Sequence, residues 1–140
     1  VMVWYEQEHK KRVVFENDHF IAFCPFASRT AFEVWIVGKR QNPYFERITD
    51  DEKFACAEAL KQVLFALREG LQDPAYNFYI HSAPCDGREY PHYQWHIEVL
   101  PHTATWAGFE LSTGIEVCQI DPIAAAKHLR SHLSPKTLSS

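Results

Sequence analysis

Short runs of β-branched and aromatic residues, separated by turn-forming residues, fill the first third of the chain. The runs at 13–15 and 20–23 flank the sequence Glu-Asn-Asp-His and predict a β-hairpin. The run at 32–37 predicts a third strand, which ends at Gly-Lys-Arg. Later runs at 77–81 and 93–100, joined by a loop rich in Pro, Asp and Gly, predict two further strands.

After residue 49, apolar residues recur with the spacing of an α-helix. Thr49 and Glu52 have the spacing of a capping box, in which each side chain accepts a hydrogen bond from the backbone amide of the other residue. Apolar residues then recur every three or four positions and predict the apolar stripe of one long helix: Phe54, Ala57, Leu60, Leu64 and Leu67. Gly70 is predicted to end this helix, because glycine is favoured just after a helix C-terminus.

The last third of the chain predicts two short strands, at 108–111 and 115–119, and one more helix. Asp121 and Pro122 open this helix, since proline is favoured in a first helical turn, and it is expected to run to about Leu133. A loose polar tail is expected at 134–140. The order of elements predicts a single α+β domain over residues 1–140, with an antiparallel sheet and helices on one face.

Composition and charge narrow the classes of partner. Of 140 residues, 46% are hydrophobic and 23% are charged, which is typical of a globular domain. The net charge of -4 argues against a nucleic-acid partner, and no apolar run is long enough to span a membrane. With no charged-then-apolar leader the protein is predicted to be cytoplasmic, and its scattered cysteines are predicted to be free thiols: Cys24, Cys56, Cys85 and Cys118.

Polar groups line one side of the strand predicted at 93–100, because side chains alternate across a strand. The predicted polar face carries His92, Gln94, His96 and Glu98. The opposite face is predicted to be core: Tyr93, Trp95, Ile97 and Val99. Four groups in a row that can bind metal, move protons or hold a polar ligand are more than a solvated face needs.

The preceding strand alternates in the same way, with positions 77, 79 and 81 on one face and 78 and 80 on the other. If the two strands pair, His81 is expected near His96 and Glu98. Two imidazoles and a carboxylate form a three-ligand set for zinc or iron. Acid–base catalysis by His96 and Glu98, or a purely structural pair, are the alternatives.

Two other segments carry groups suited to a ligand. The segment at 106–114 has two glycines, which let a backbone approach a ligand, and hydroxyls that can bind sugar or phosphate oxygens; a plain turn is the alternative. In the segment at 24–33, Arg29 can bind phosphate through its fork of donors. A surface loop between strands is the preferred interpretation there, with Phe26 and Phe32 in the core.

Several short motifs follow one another in a family-like order between residues 12 and 132. They are Pro25-Phe26, Phe32-Glu33, Ile48-Thr49, His81-x-Ala83-Pro84, His92-x-Gln94-x-His96-x-Glu98 and Ala-Ala-Ala-Lys-His-Leu-Arg at 124–130. In these motifs the chain resembles the C-terminal half of galactose-1-phosphate uridylyltransferase, of the histidine-triad (HIT) superfamily. The resemblance implies a HIT-like antiparallel sheet with one long helix and a C-terminal helix.

The resemblance implies a nucleotidyl transfer that this chain does not complete alone. In the family, a histidine of a His-Pro-His motif in the N-terminal half attacks UDP-glucose, and galactose 1-phosphate then takes the uridylyl group from that histidine. This chain contains no His-Pro-His. The nucleophile is therefore expected on an N-terminal segment outside this chain, and the chain alone is expected to be inactive.

The resemblance also implies a metal site and part of a sugar site. The family's metal positions fall on His81, His96 and Glu98, although the family commonly has histidine at position 98, and a further glutamate belongs to the other half. Zinc or iron is the implied metal, and the implied partners are a nucleotide sugar, a sugar phosphate and a second subunit in a homodimer. The hexose-contacting loop, which crosses the dimer interface, maps onto Phe109, Glu110, Leu111, Thr113, Gly114 and Gln119.

Rival functions use the same residues. The pattern Phe-Glu-x-x-Thr-Gly at 109–114 is closer to nucleotide-sugar phosphorylases, so the base and the sugar stay open. One rival is a self-sufficient HIT-like hydrolase or phosphorylase, with His96 as nucleophile and Glu98 or His92 as its orienting partner. Another is a non-catalytic nucleotide-binding domain.

Overall fold

The structure, a computed structural model, describes residues 10–102 and 120–134. These residues form strands and α-helices in the order β1 (Val13–Glu16), β2 (Phe20–Phe23), β3 (Val34–Gly38), α1 (Asp50–Leu71), β4 (Ala75–His81), β5 (His96–His102) and α2 (Pro122–Arg130). A short 3-10 helix, Phe45–Arg47, precedes α1. The strands predicted at 108–111 and 115–119 and nearly all of the tail lie outside the described residues.

The strands form one antiparallel sheet in the order β1-β2-β3-β5-β4. The predicted hairpin is confirmed, and its turn is fixed by Asn17, whose side-chain oxygen accepts from the amides of His19 and Phe20 at 3.0 and 2.8 Å. β3 and β5 are neighbours although a long helix and β4 separate them in sequence. This non-consecutive pairing places β5 beside the middle strand, β3, and β4 on the outer side of β5.

The two helices pack on one face of the sheet, which confirms the predicted α+β architecture. Alternate strand residues and the inner faces of the helices form the main core: Phe20, Ala22, Val34, Ile36, Val63, Ala66, Leu67, Ile97, Val99, Ala126 and Leu129. Trp95 joins this core, with its ring edge-on to those of Phe20 and Phe45 at centroid distances of 5.7 and 5.0 Å. Full burial of a side chain such as Phe20 stabilises the fold by about 1.5–3 kcal/mol.

The capping box of α1 is confirmed, and the predicted apolar stripe is partly right: Leu60, Leu64 and Leu67 pack against the core, but Phe54 and Ala57 are exposed. Thr49 and Glu52 exchange both hydrogen bonds of the box. Of the five predicted stripe residues only Leu67 is buried, and Phe54 is 80% exposed. The helix turns a face with small residues to the sheet: Cys56, Ala59, Val63, Ala66 and Leu67. Apolar residues surround more than one side of α1, so periodicity alone did not select the side that packs closest.

The predicted end of α1 at Gly70 is also wrong. The helix continues to Leu71, and Gln72 takes the left-handed conformation at φ 59° that often follows a helix. Gly70 serves close packing instead. His128 of α2 places its Nε2 2.8 Å from the Gly70 carbonyl oxygen, and a Cβ at position 70 would lie 3.2 Å from the same nitrogen. Glycine here lets the two helices approach.

Two strand boundaries differ from the predicted ones. β3 begins at Val34 because Phe32 has a φ of 64°, which no strand residue adopts. β5 begins at His96, because the backbone before it pairs with a loop: the Trp95 amide donates to the Asn42 carbonyl at 3.0 Å, and Gln94 Oε1 accepts from the Asn42 amide at 3.0 Å. The predicted polar row therefore loses its first two members, His92 and Gln94.

α2 begins as predicted, with the Asp121 carboxylate accepting from the amides of Ile123 and Ala124, but it ends at Arg130 rather than near Leu133. Within the described residues no helix has the length and hydropathy that a bilayer span requires. Cys56 and Cys85 are free thiols, as predicted. Cys118 lies outside the described residues.

Candidate functional site

His81, His96 and Glu98 meet on the sheet face opposite the helices. In the antiparallel ladder of β4 and β5, His81 lies across from His96, and Tyr79 lies across from Glu98. Because side chains alternate, all four residues point to the same face. One potential ligand atom from each of His81, His96 and Glu98 lies within 4.8 Å of the others. The predicted juxtaposition of these three residues is therefore confirmed.

The hydrogen bonds of His96 define the state of its ring. Its Nδ1 lies 3.2 Å from the Gln94 carbonyl oxygen, which only accepts, so Nδ1 carries a proton. In a neutral ring Nε2 then presents a lone pair, yet it faces Glu98 Oε1 at 3.0 Å. Two electron-pair donors at this distance repel unless a proton or a metal ion lies between them.

His81 directs a third electron-pair donor, its Nε2, at the Glu98 carboxylate. Its Nε2 lies 3.3 Å from Glu98 Oε2, is shielded from solvent and makes no hydrogen bond to any residue that the structure describes. A buried polar atom without a partner is costly, and such atoms mark sites of bound ions or function. Glu98 is itself only 6% exposed. The geometry therefore offers two imidazole nitrogens and one carboxylate to a single cation.

Aromatic stacking fixes the orientation of the His96 ring. The rings of Trp35 and His96 are stacked with centroids 4.7 Å apart and planes 22° apart. On the other side of His96, the His81 ring stacks with a centroid distance of 5.1 Å and an angle of 19°. His96 is thus held between two rings, which limits its rotation and keeps Nε2 directed at Glu98.

A second carboxylate, Glu33, lies beside this cluster and is 1% exposed. It accepts from the Arg29 backbone amide at 2.7 Å and from Trp35 Nε1 at 3.2 Å. The Arg29 guanidinium donates to Glu33 Oε1 and also to Glu98 Oε2. Arg29 therefore bridges two buried carboxylates.

The network of Arg29, Glu33 and Glu98 has a net charge that a further cation would neutralise. Burial alone would lower the pKa of Arg29, but its hydrogen bond to Glu33 and the charge of Glu98 raise that pKa above its ordinary value. One guanidinium faces two carboxylates, so with neutral histidines the network carries one net negative charge. A buried net charge is costly, and a metal ion or a protonated histidine would neutralise it.

The remaining predicted site residues are not part of this cluster. His92 lies in an exposed turn ahead of β5, so the prediction that it shares a face with His96 is wrong. Gln94 binds the Asn42 amide and positions a loop instead. The predicted sugar-binding residues all lie outside the described residues: Phe109, Glu110, Leu111, Thr113, Gly114 and Gln119.

Sequence reasoning missed the roles of Arg29, Glu33 and Trp35. The preferred surface-loop interpretation of 24–33 placed Phe26 in the core, but Phe26 is 82% exposed, while Phe32 packs partly buried against the core. A usable signal was present in the sequence. Glu33 interrupts an apolar run that predicts a strand, and a residue of opposite charge precedes it by four positions.

Comparisons with known proteins identify the family of the chain. The sequence profile of the HIT domain matches residues 6–103. The chain is similar to the ADP-glucose phosphorylase of Arabidopsis thaliana, with 32% identity over 127 residues, 89% of this chain and 36% of that protein. It is also similar to the galactose-1-phosphate uridylyltransferase of Thermotoga maritima, with 31% identity over 134 residues, 89% of this chain and 42% of that protein.

A solved structure shows the same relationship. The chain superposes on a GalT-like protein from Arabidopsis thaliana with a TM-score of 0.78 and 31% identity, covering 93% of this chain and 44% of that one. The chain thus spans less than half the length of each of these relatives.

Proposed function

The chain belongs to the HIT domain family, and on that premise we propose that it forms one half of a nucleotidyltransferase acting on nucleotide sugars. Its similar relatives are a uridylyltransferase and a phosphorylase, and the chain spans 42% and 36% of their lengths. The proposed reaction is the exchange between UDP-glucose and galactose 1-phosphate. The pattern at 109–114 and the similarity to the ADP-glucose phosphorylase favour a second candidate, phosphorolysis of ADP-glucose.

In both reactions the nucleotidyl group passes through a histidine, which is nucleophilic when neutral near pH 7. We assign that nucleophile to a His-Pro-His motif in another domain, because this chain contains none. The alternative nucleophile, His96, has both ring nitrogens engaged, one by the Gln94 carbonyl and the other by Glu98. A nucleophile and a metal ligand both need the Nε2 lone pair. Here that lone pair is directed at the Glu98 carboxylate, where His81 also converges, so we assign His96 as a ligand.

The role proposed for this half is a metal-supported scaffold. The observation that carries it is the convergence of His81 Nε2, His96 Nε2 and the Glu98 carboxylate, with the first of these atoms buried and without a hydrogen bond to the described part of the chain. The residues therefore fit a zinc or iron ion, to which these three groups would be ligands and a residue of another domain a fourth. A bound ion would supply the positive charge that holds the ends of β4 and β5 together.

The sheet edge supports the proposal that this half packs against a second domain or subunit. Among the described strands β4 lies at the edge of the sheet, and three of its apolar side chains on the helix side are between 42% and 49% exposed: Tyr76, Phe78 and Ile80. Leu60, Leu64 and Phe65 of α1 line one groove with Tyr76, so the apolar surface continues onto that helix. Unpaired edge strands with apolar side chains are normally covered. A homodimer of the intact enzyme remains part of the proposal.

The test is the intact mass of the purified chain after incubation with UDP-glucose and, separately, with ADP-glucose. The proposal expects no covalent gain from either compound, with the chain folded by circular dichroism. A gain of one nucleotidyl group that His96→Ala abolishes would instead establish a self-sufficient enzyme with His96 as nucleophile. Reversible binding of the nucleotide sugar without a need for metal would favour the non-catalytic binding domain.

A further inference from the structure

The positively charged guanidinium of Arg29 lies against the Glu98 carboxylate, which the proposed metal ion would need as a ligand. We propose that Arg29 competes with the divalent cation for Glu98 and thereby sets the metal affinity of the His81, His96 and Glu98 cluster. This inference rests on the metal site of the proposed function. Whether a metal ion fills that site would then depend on a residue of the 24–33 loop, which is far from the three ligands in sequence.

The competition follows from the atoms involved. The Arg29 guanidinium donates to Glu98 Oε2, and this same oxygen lies 3.3 Å from His81 Nε2. A cation bound between His81 and Glu98 would have to use the electron pairs of that oxygen. It would also lie close to the guanidinium, and two cations at a few ångströms in a partly buried site repel each other strongly. Either Arg29 leaves the oxygen or the metal binds weakly.

Glu33 keeps Arg29 at this position. It receives the Arg29 guanidinium through both Nε, at 3.3 Å, and Nη2, at 3.2 Å, and it holds the Arg29 backbone amide at 2.7 Å. The indole of Trp35 fixes Glu33 in turn. The guanidinium is therefore held over the cluster by a buried acid that is not one of the ligands.

The same geometry makes the displacement of Arg29 possible. The Arg29 side chain is 58% exposed, whereas Glu33 and Glu98 are buried. A guanidinium with access to solvent can leave one carboxylate while it keeps the other, so a metal can replace Arg29 at Glu98 without breaking the anchor at Glu33. Arg29 is thus a displaceable counter-ion that weakens metal binding without preventing it.

The test compares the zinc dissociation constants of the wild-type chain, Arg29→Gln and Arg40→Gln, measured by competition with a chromophoric chelator. Arg40 is a matched control, because its 50%-exposed side chain also pairs with a buried carboxylate, that of Glu52 in the α1 capping box. We expect Arg29→Gln to bind zinc at least tenfold more tightly than wild type. We expect Arg40→Gln to bind zinc as wild type does.

The outcomes separate this inference from the proposed function. Equal zinc affinity in wild type and Arg29→Gln would overturn the role of Arg29 and leave the metal site standing. No zinc binding in either protein would overturn both. Tighter binding in Arg29→Gln that His96→Ala removes would support both, because it places the zinc on the cluster.

A measurement on the wild-type chain tests the same inference even if the variant misfolds. Arg29 contacts Glu98 through Nη2, and Arg40 contacts Glu52 through Nη2, so the side-chain Nη signals of both residues can be followed by nitrogen-15 NMR during zinc addition. Displacement of Arg29 from Glu98 predicts a shift of the Arg29 signal in proportion to zinc bound, with the Arg40 signal unchanged. An Arg29 signal that stays fixed while zinc saturates the cluster would contradict the inference.

Discussion

His81 lies directly across the β4–β5 ladder from His96, and the two imidazole rings stack with their centroids 5.1 Å apart. This relationship brings two histidines to the carboxylate of Glu98, with which His96 shares a face of β5. It requires only that two strands pair in one register. The loop of 82–95 joins the two strands, and Trp95 in the core and the Asn42 contacts hold the start of β5 in place.

The acid stability of the fold is predicted to depend on Glu52. Burial alone would raise the pKa of this carboxyl, but hydrogen bonds from Arg40 and Thr49 lower it below the ordinary value of 4.5. A lowered pKa stabilises the fold above pH 4.5, and that stabilisation is lost as the pH falls through the folded-state pKa. We expect Glu52→Gln to lower the free energy of unfolding at pH 7 by about 1.5–3 kcal/mol.

Urea unfolding at a series of pH values measures this effect. Wild type should lose stability more steeply than Glu52→Gln below pH 4.5, so the two curves should converge in acid. Glu58→Gln, on the exposed side of α1, is the control and should follow wild type. Parallel curves for wild type and Glu52→Gln would show that Glu52 does not carry the acid dependence.

The contact between α1 and α2 at Gly70 predicts an energetic coupling. Replacing glycine by alanine inside a helix normally stabilises it by about 0.8–1 kcal/mol. At position 70 the new Cβ would lie 3.2 Å from His128 Nε2, so crowding should cancel part of that gain. In a His128→Ala background the full gain should appear. A double-mutant cycle from urea unfolding should give a coupling of at least about 0.5 kcal/mol, and additive effects would contradict the contact.

The described thiols are predicted to differ in reactivity. Burial raises the pKa of Cys56 to about 11, so its thiolate is scarce near pH 8 and its sulfur is shielded. Cys85 is exposed, and the neighbouring charge of Glu46 raises its pKa. With iodoacetamide at pH 8, peptide mass spectrometry should show Cys85 labelled and Cys56 protected. Glu46→Gln should speed labelling of Cys85, because a lower pKa gives more thiolate, and an unchanged rate would contradict this electrostatic effect.

The part of the site that sequence predicted depends on local patterns. Alternation within two neighbouring runs placed His81, His96 and Glu98 together, because those strands are consecutive and pair in a simple antiparallel ladder. Arg29 and Glu98 are 69 residues apart and meet only because β3 inserts beside β5. No local pattern specifies that pairing, so the contact between Arg29 and Glu98 was not predictable from the sequence, unlike the pair of Arg29 and Glu33 four residues apart.

The difference between local patterns and contacts distant in sequence also explains the errors in the predicted fold. The helix α1 was predicted from its capping box and composition, since both are local. Its buried face was predicted only in part, because Phe54 is as apolar as the residues that pack inward and only the sheet decides between the two sides. The prediction that β5 starts at residue 93 was wrong for a similar reason. Residues 94 and 95, ahead of His96, form hydrogen bonds with Asn42 in a loop that is distant in sequence.

The central claim, that His81, His96 and Glu98 act as ligands, is tested most directly by native mass spectrometry of the chain with one equivalent of zinc. We expect one zinc ion on wild type and on His92→Ala, whose histidine is exposed and outside the cluster. We expect none on His81→Ala or His96→Ala, since each removes a convergent donor. Zinc retained at wild-type occupancy by His81→Ala and His96→Ala would contradict the claim.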